Sequence, residues 1–134
     1  MNTPELDVRT MSLLLARGRV AVGVVATVLP RLAGAVAPGG YGAPVRALSR
    51  MAGARDVALG LGALTCVKEG TQDAEWVGMG GAVDVIDGVT LLTTRGLPRR
   101  VRLVGLVALG AGIAGLACAR ALADERVSVG QPIS

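Results

Sequence analysis

Asp84 and Asp87 stand three residues apart in the apolar stretch GGAVDVIDGV, a spacing that puts both carboxylates on one face of a helix. Paired carboxylates can serve in a proton relay or a substrate site, or act as general acid and base. Two further interruptions of apolar sequence carry charge. Arg55 and Asp56 sit side by side in GARDVALGLGALTCV, and Arg17 and Arg19 break MSLLLARGRVAVGVVATVLP. Arg17, Arg19, Arg55, Asp56, Asp84 and Asp87 make a balanced set of three positive and three negative charges. They are the candidate binding site, expected to converge as one polar cluster. Two carboxylates as close as Asp84 and Asp87 call for a cation between them, and Arg19 and Arg55 are the candidates.

The companions that most chemistries need are missing. The chain has no His, which removes the usual general base near neutral pH and the commonest metal ligand. Cys66 and Cys118 each lie in apolar surroundings without a CxxC partner and read as small buried hydrophobes. GLGAL lacks the lysine of a phosphate loop, and GAGIAG has no strand before it. No catalytic residue, metal site or cofactor is therefore assigned.

The elements that must position the cluster are helices in lipid. The chain is 51% hydrophobic and 18% charged, against a charged fraction of about 25% in soluble domains. Its apolar weight is Ala, Val, Leu and Gly, with no Phe, one Trp and one Tyr among 134 residues. Such small residues make a thin core in water but suit helices approaching closely in a membrane. Four segments have about the 20 residues needed to cross the hydrocarbon: residues 11–30, 48–67, 76–94 and 101–122. Pro30 ends the first, KEGTQDAE forms a loop after the second, and RGLPRRVR turns tightly into the fourth. Tyr41 is expected at headgroup depth, and residues 123–134 form a loose polar tail. The whole chain is one membrane domain of the all-α class, a four-helix transmembrane bundle.

Within that frame the charges sort themselves. An unpaired charge at mid-bilayer costs roughly 3 kcal/mol on insertion scales, so six must face inward and satisfy one another. Arg120 lies near the end of the fourth segment, where it can snorkel to water. Small residues are expected to form helix seams at Ala54, Ala58 and Gly62, at Gly80, Gly81 and Gly88, and at Ala108–Gly112 and Ala111–Gly115–Ala119. The fourth segment, uncharged at its centre, closes the bundle.

The connections alternate in sign. Arg31, Arg46 and Arg50 fill the first and Arg95, Arg99, Arg100 and Arg102 the third, with no acid in either. The second holds Lys68 against Glu69, Asp73 and Glu75, and both tails are mixed. By the positive-inside rule the arginine-rich ends face the cytoplasm and both termini face away from it. The opening MNTPELD leans acidic and does not fit a signal peptide. The net charge of +4 lies in connections without stacking aromatics, which argues against nucleic acid as a partner.

In order along the chain stand Arg19, Pro30, a Gly/Pro-containing loop, Arg50 followed by GARDVALG, Asp84-x-x-Asp87 and a Leu-Pro-Arg-Arg turn. This succession resembles a broad group of small bacterial four-helix integral membrane proteins known only as a domain of unknown function. The likeness covers most of residues 9–122 and implies the fold and an inner-membrane location, with no activity. It departs in the first loop, where a second aromatic is missing.

The sequence therefore points to a small integral membrane protein whose buried Arg/Asp cluster specifies helix packing, a structural or accessory component. Its partners are the lipid bilayer and either a second copy or other membrane subunits. The alternative is a minimal transporter or proton-coupled carrier acting as a homo-oligomer. A membrane-embedded enzyme ranks third for want of His and a nucleophile.

Overall fold

A computed structural model describes residues 7–36 and 42–130. Tyr41, and with it the expected headgroup anchor, lies outside the described residues, as do residues 131–134. The described chain is all-helical, with five helices: α1 (Val8–Val28), α2 (Pro30–Val36), α3 (Ala43–Glu69), α4 (Asp73–Thr93) and α5 (Arg99–Ser128).

Local sequence sets the helix ends. Pro30 opens α2 and disfavours helical geometry at the preceding Leu29, so α1 stops one residue earlier. Pro44 sits in the first turn of α3, where its missing N–H costs nothing. Gly70, at φ 70°, caps α3 in the left-handed conformation that glycine adopts without penalty. Asp73 and Glu75 place negative charge in the first turn of α4, at the positive end of its dipole. Pro98 precedes α5.

The helices pack as two antiparallel pairs, α1 against α3 and α4 against α5, joined by contacts of α3 with α4 and of α1 with α5. Glycine lets each pair approach backbone to backbone. A Cβ on Gly23 of α1 would lie 2.6 Å from the Gly53 carbonyl oxygen of α3. One on Gly112 of α5 would lie 2.7 Å from the Gly81 carbonyl oxygen of α4. The buried glycines of α4 (Gly80, Gly81, Gly88) and those of α5 (Gly112, Gly115) are where the sequence puts its seams.

The α3 seam is different. Ala54 and Ala58 are exposed, and the buried face runs through Gly53, Gly60, Ala63 and Val67. Alanines and glycines lie on both sides of this helix, and α1 approaches the side that offers glycine. Gly62 contributes elsewhere, against the Trp76 ring, where a Cβ would lie 2.3 Å from Cε3 and Cζ3. Three other expectations shift. The loop after α3 shrinks to residues 70–72, α3 begins at Ala43, and α5 continues through Ser128 where a loose tail was expected from residue 123.

Three helices, α1, α4 and α5, are long and apolar enough to cross a membrane. α3 is not among them, since Arg46, Arg50, Arg55, Asp56, Lys68 and Glu69 all fall along it. The buried apolar core is small and gathers at one end, with Ala16, Ala63, Val67, Val77, Cys118 and Leu122. Large apolar side chains such as Val24, Val28, Leu61, Ile86, Leu103, Leu106 and Ile113 point outward instead.

Candidate functional site

The polar cluster forms where α1, α3 and α4 meet. Arg19 of α1 is only 11% exposed. Its Nη1 donates to Asp56 Oδ1 of α3 at 3.2 Å, and its Nη2 donates to both the Gly80 carbonyl (2.6 Å) and Asp84 Oδ2 of α4. Gly80 and Asp84 are one turn apart, so a single guanidinium arm meets both. The absence of a side chain at Gly80 makes room for it: a Cβ there would stand 3.2 Å from Arg19 Nε.

Arg55 and Asp56 are neighbours in sequence, and successive residues of a helix diverge by about 100°. Asp56 therefore turns towards Arg19 while Arg55 turns towards Asp87. Arg55 Nη2 donates to Asp87 Oδ2 at 2.5 Å and to Asp56 Oδ1 at 3.4 Å, and Nη1 donates to Asp87 Oδ1 at 3.4 Å. The Nε of Arg55 is buried without a partner. The result is an alternating chain, Asp84–Arg19–Asp56–Arg55–Asp87, in which each arginine is shared by two carboxylates. It is most enclosed at Arg19 and opens outward, with Arg55 and Asp87 at 38% and 37% exposure.

Five of the six candidate residues converge, and Arg17 does not. Arg17 is exposed and makes no ion pair with a described acidic residue. It precedes Arg19 by two positions, about 200° around the helix, so the two cannot face the same neighbours. Its loss changes the charge count: three carboxylates face two guanidinium groups, leaving a formal charge of −1 where the sequence suggested balance.

The cluster does not pack solid. A cavity of about 470 Å³ lies against it. Arg19, Asp56, Asp84 and Asp87 line one side with Trp76, the only tryptophan in the chain. Uncharged positions of α5, among them Val107, Ala108 and Ala111, close the other side. Among the described residues the one hydroxyl in the lining, Ser12, donates to the Val8 carbonyl at 2.8 Å, the main-chain oxygen one turn back, so no base activates it. Among the described residues no group of Cys, Asp and Glu is arranged to hold a metal ion. Both cysteines are free, Cys118 buried and Cys66 partly so.

A second ionic centre, which the sequence reading did not identify, lies at the opposite end from the arginine-rich turns. Asp73, 1% exposed, receives a 2.5 Å hydrogen bond from Arg126 of α5 and lies 3.7 Å from Arg9 of α1. Arg9 also donates to the Val67 carbonyl, and Arg126 to that of Gly70. The available signal was weak: Arg9 and Arg126 flank the apolar segments at the same level as Asp73, yet so do Asp7, Glu69, Glu75, Asp124 and Glu125.

Compared with known proteins, the chain matches no family model, no curated protein and no solved structure.

Proposed function

We propose that this chain is a four-helix integral membrane protein of the bacterial inner membrane, related to the small membrane proteins it resembles, with both termini away from the cytoplasm. In it the Arg/Asp chain forms a binding site for one monovalent cation or proton, and the protein works as a minimal carrier. One observation carries this: a cavity of about 470 Å³ lined by three carboxylates that share only two guanidinium groups. In a low-dielectric site an uncompensated charge is costly, and either a proton or a bound cation relieves it. Because both satisfy the same carboxylates, they compete, and competition of that kind couples the movement of one to the other. Arg31, Arg46, Arg50, Arg95, Arg99, Arg100 and Arg102, gathered on one side of the bundle with no acid in the sequence between α1 and Arg50 or between α4 and Arg102, support the orientation.

A second reading has its own support. Arg19 ties α1 to both α3 and α4, and Arg55 ties α3 to α4, so the cluster also fixes helix register. A protein that uses it only for this would be an accessory subunit.

Proton release separates the two. Adding a monovalent organic cation to purified protein in unbuffered detergent solution should release protons from the wild type and none from Asp84→Asn/Asp56→Asn. Binding without proton release would leave a cation site but no exchange, and no binding at all would leave the register-fixing role.

A further inference from the structure

Besides the acidic cavity, the chain contains a larger groove of about 840 Å³. It runs between α1, α2 and α3 on one side and the α4–α5 turn on the other. Val25, Leu29, Leu32, Leu48, Leu97 and Val101 are among the residues that line it. Among the described residues its one hydroxyl, Ser49, is occupied, donating to the Ala26 carbonyl at 2.9 Å. Asp56 is the only charged residue among the described residues that line the groove. Val22, Asp56, Leu91 and Val104 line both spaces, so the apolar groove and the acidic cavity meet at Asp56.

The distribution of the core explains why this space exists. The buried apolar cluster lies towards the other end of the molecule, around Ala16, Val67 and Leu122, and of the groove's described apolar side chains only Val101 is buried. Towards the arginine-rich end the groove lies between the two helical pairs.

The geometry points to an amphipathic organic cation as the occupant, with its charged head at the Asp56–Asp84–Asp87 carboxylates and its hydrocarbon part in the groove. This rests on the cation-binding reading of the cluster and names the ligand class. Three features converge on it. The acidic side has a formal excess of one negative charge, which asks for a single positive head. Trp76 lines the same cavity about two helical turns from Asp84, so an organic cation with apolar bulk meets an aromatic wall beside the carboxylates. The groove beyond Asp56 offers apolar lining without any other charge, which suits an alkyl or aryl tail and no second polar group. A small inorganic cation would leave the groove unused, and an anionic amphiphile with its head at the arginine-rich end would leave the carboxylates uncompensated.

The single tryptophan supplies the measurement. Protein in lipid nanodiscs is titrated with tetramethylammonium, decyltrimethylammonium and decyl sulfate while Trp76 fluorescence is followed. Decyltrimethylammonium should give a saturable change at a concentration at least about tenfold below that for tetramethylammonium, since each buried methylene adds to affinity. Decyl sulfate should give no saturable change. Asp56→Asn should weaken both cations, and Ala52→Phe, which fills the groove, should narrow the difference between them. Equal affinity for the two cations, lost in Asp56→Asn, would overturn the tail site while leaving cation binding intact. Saturable binding of decyl sulfate would assign the groove to apolar tails irrespective of charge and overturn the proposal. If neither cation binds to the folded protein, both this inference and the cation-binding reading fail.

Discussion

Arg126 donates a 2.5 Å hydrogen bond to Asp73 across 53 positions of chain, tying the last turn of α5 to the first turn of α4. The carboxylate is almost fully enclosed, and Arg9 stands on its other side. Removing one member of such a pair leaves the other charge buried without compensation. Asp73→Asn should lower stability by about 3 kcal/mol in detergent unfolding experiments. Arg126→Gln should in addition speed amide exchange over residues 123–128, because Arg126 ties this end of α5 to Asp73 and to the Gly70 carbonyl. Unchanged exchange there would show that α5 needs no clamp.

The central chain predicts a particular pattern of coupling. Arg19 pairs with Asp84 and Asp56, whereas Arg55 pairs with Asp87 and Asp56. Double-mutant cycles should therefore give about 0.5–3 kcal/mol of interaction for Arg19→Gln with Asp84→Asn and for Arg55→Gln with Asp87→Asn. Arg55→Gln with Asp84→Asn, which share no direct contact, should come out much nearer to additive. Equal coupling in all three combinations would dissolve the proposed order of the chain.

Close helix approach gives a third test. Gly112→Ala would press a methyl group into main-chain atoms of α4, with Val85 N at 2.6 Å and Gly81 O at 2.7 Å. Backbone cannot yield as a side chain can, so the substitution should destabilise by about 1–3 kcal/mol. Gly110→Ala, two residues away on the same helix, meets nothing within 4 Å and should be neutral or stabilise by about 0.5–1 kcal/mol. Thermal unfolding of the two variants side by side decides it.

The proposed orientation can be read by labelling. With Cys66 and Cys118 replaced by Ala, a cysteine at Thr71 in the short α3–α4 connection should react with an impermeant thiol reagent applied to intact cells. One at Thr94, in the basic α4–α5 turn, should react only after permeabilisation. The opposite order would place the arginines outside.

Much of the fold is legible in the sequence because its causes are local. Apolar length, the helix stops at Pro30 and around Gly70, and the basic turn before α5 each depend on a few neighbouring residues. The need for a cluster is legible as well, since charges in apolar segments must find one another. The Asp84–Asp87 spacing already puts the two on one face, and the glycines of α4 and α5 already mark the seams.

What only the tertiary structure decided concerns which of several equivalent local choices is used. Arg17 and Arg19 are the same residue type on one helix, and no local property says which points inward. That depends on where α3 and α4 stand, and it changes the cluster from balanced to one carboxylate in excess. The alanines Ala54 and Ala58 are as suitable for a seam as Gly53 and Gly60 until a neighbouring backbone comes close enough to exclude a Cβ. Asp73 could be a solvated loop acid until α5 extends far enough to bring Arg126 to it. The empty volume beside the acids depends on the separation of two helical pairs. Hydropathy and periodicity are properties of one helix at a time, whereas partners, seams and voids are set by distances between helices.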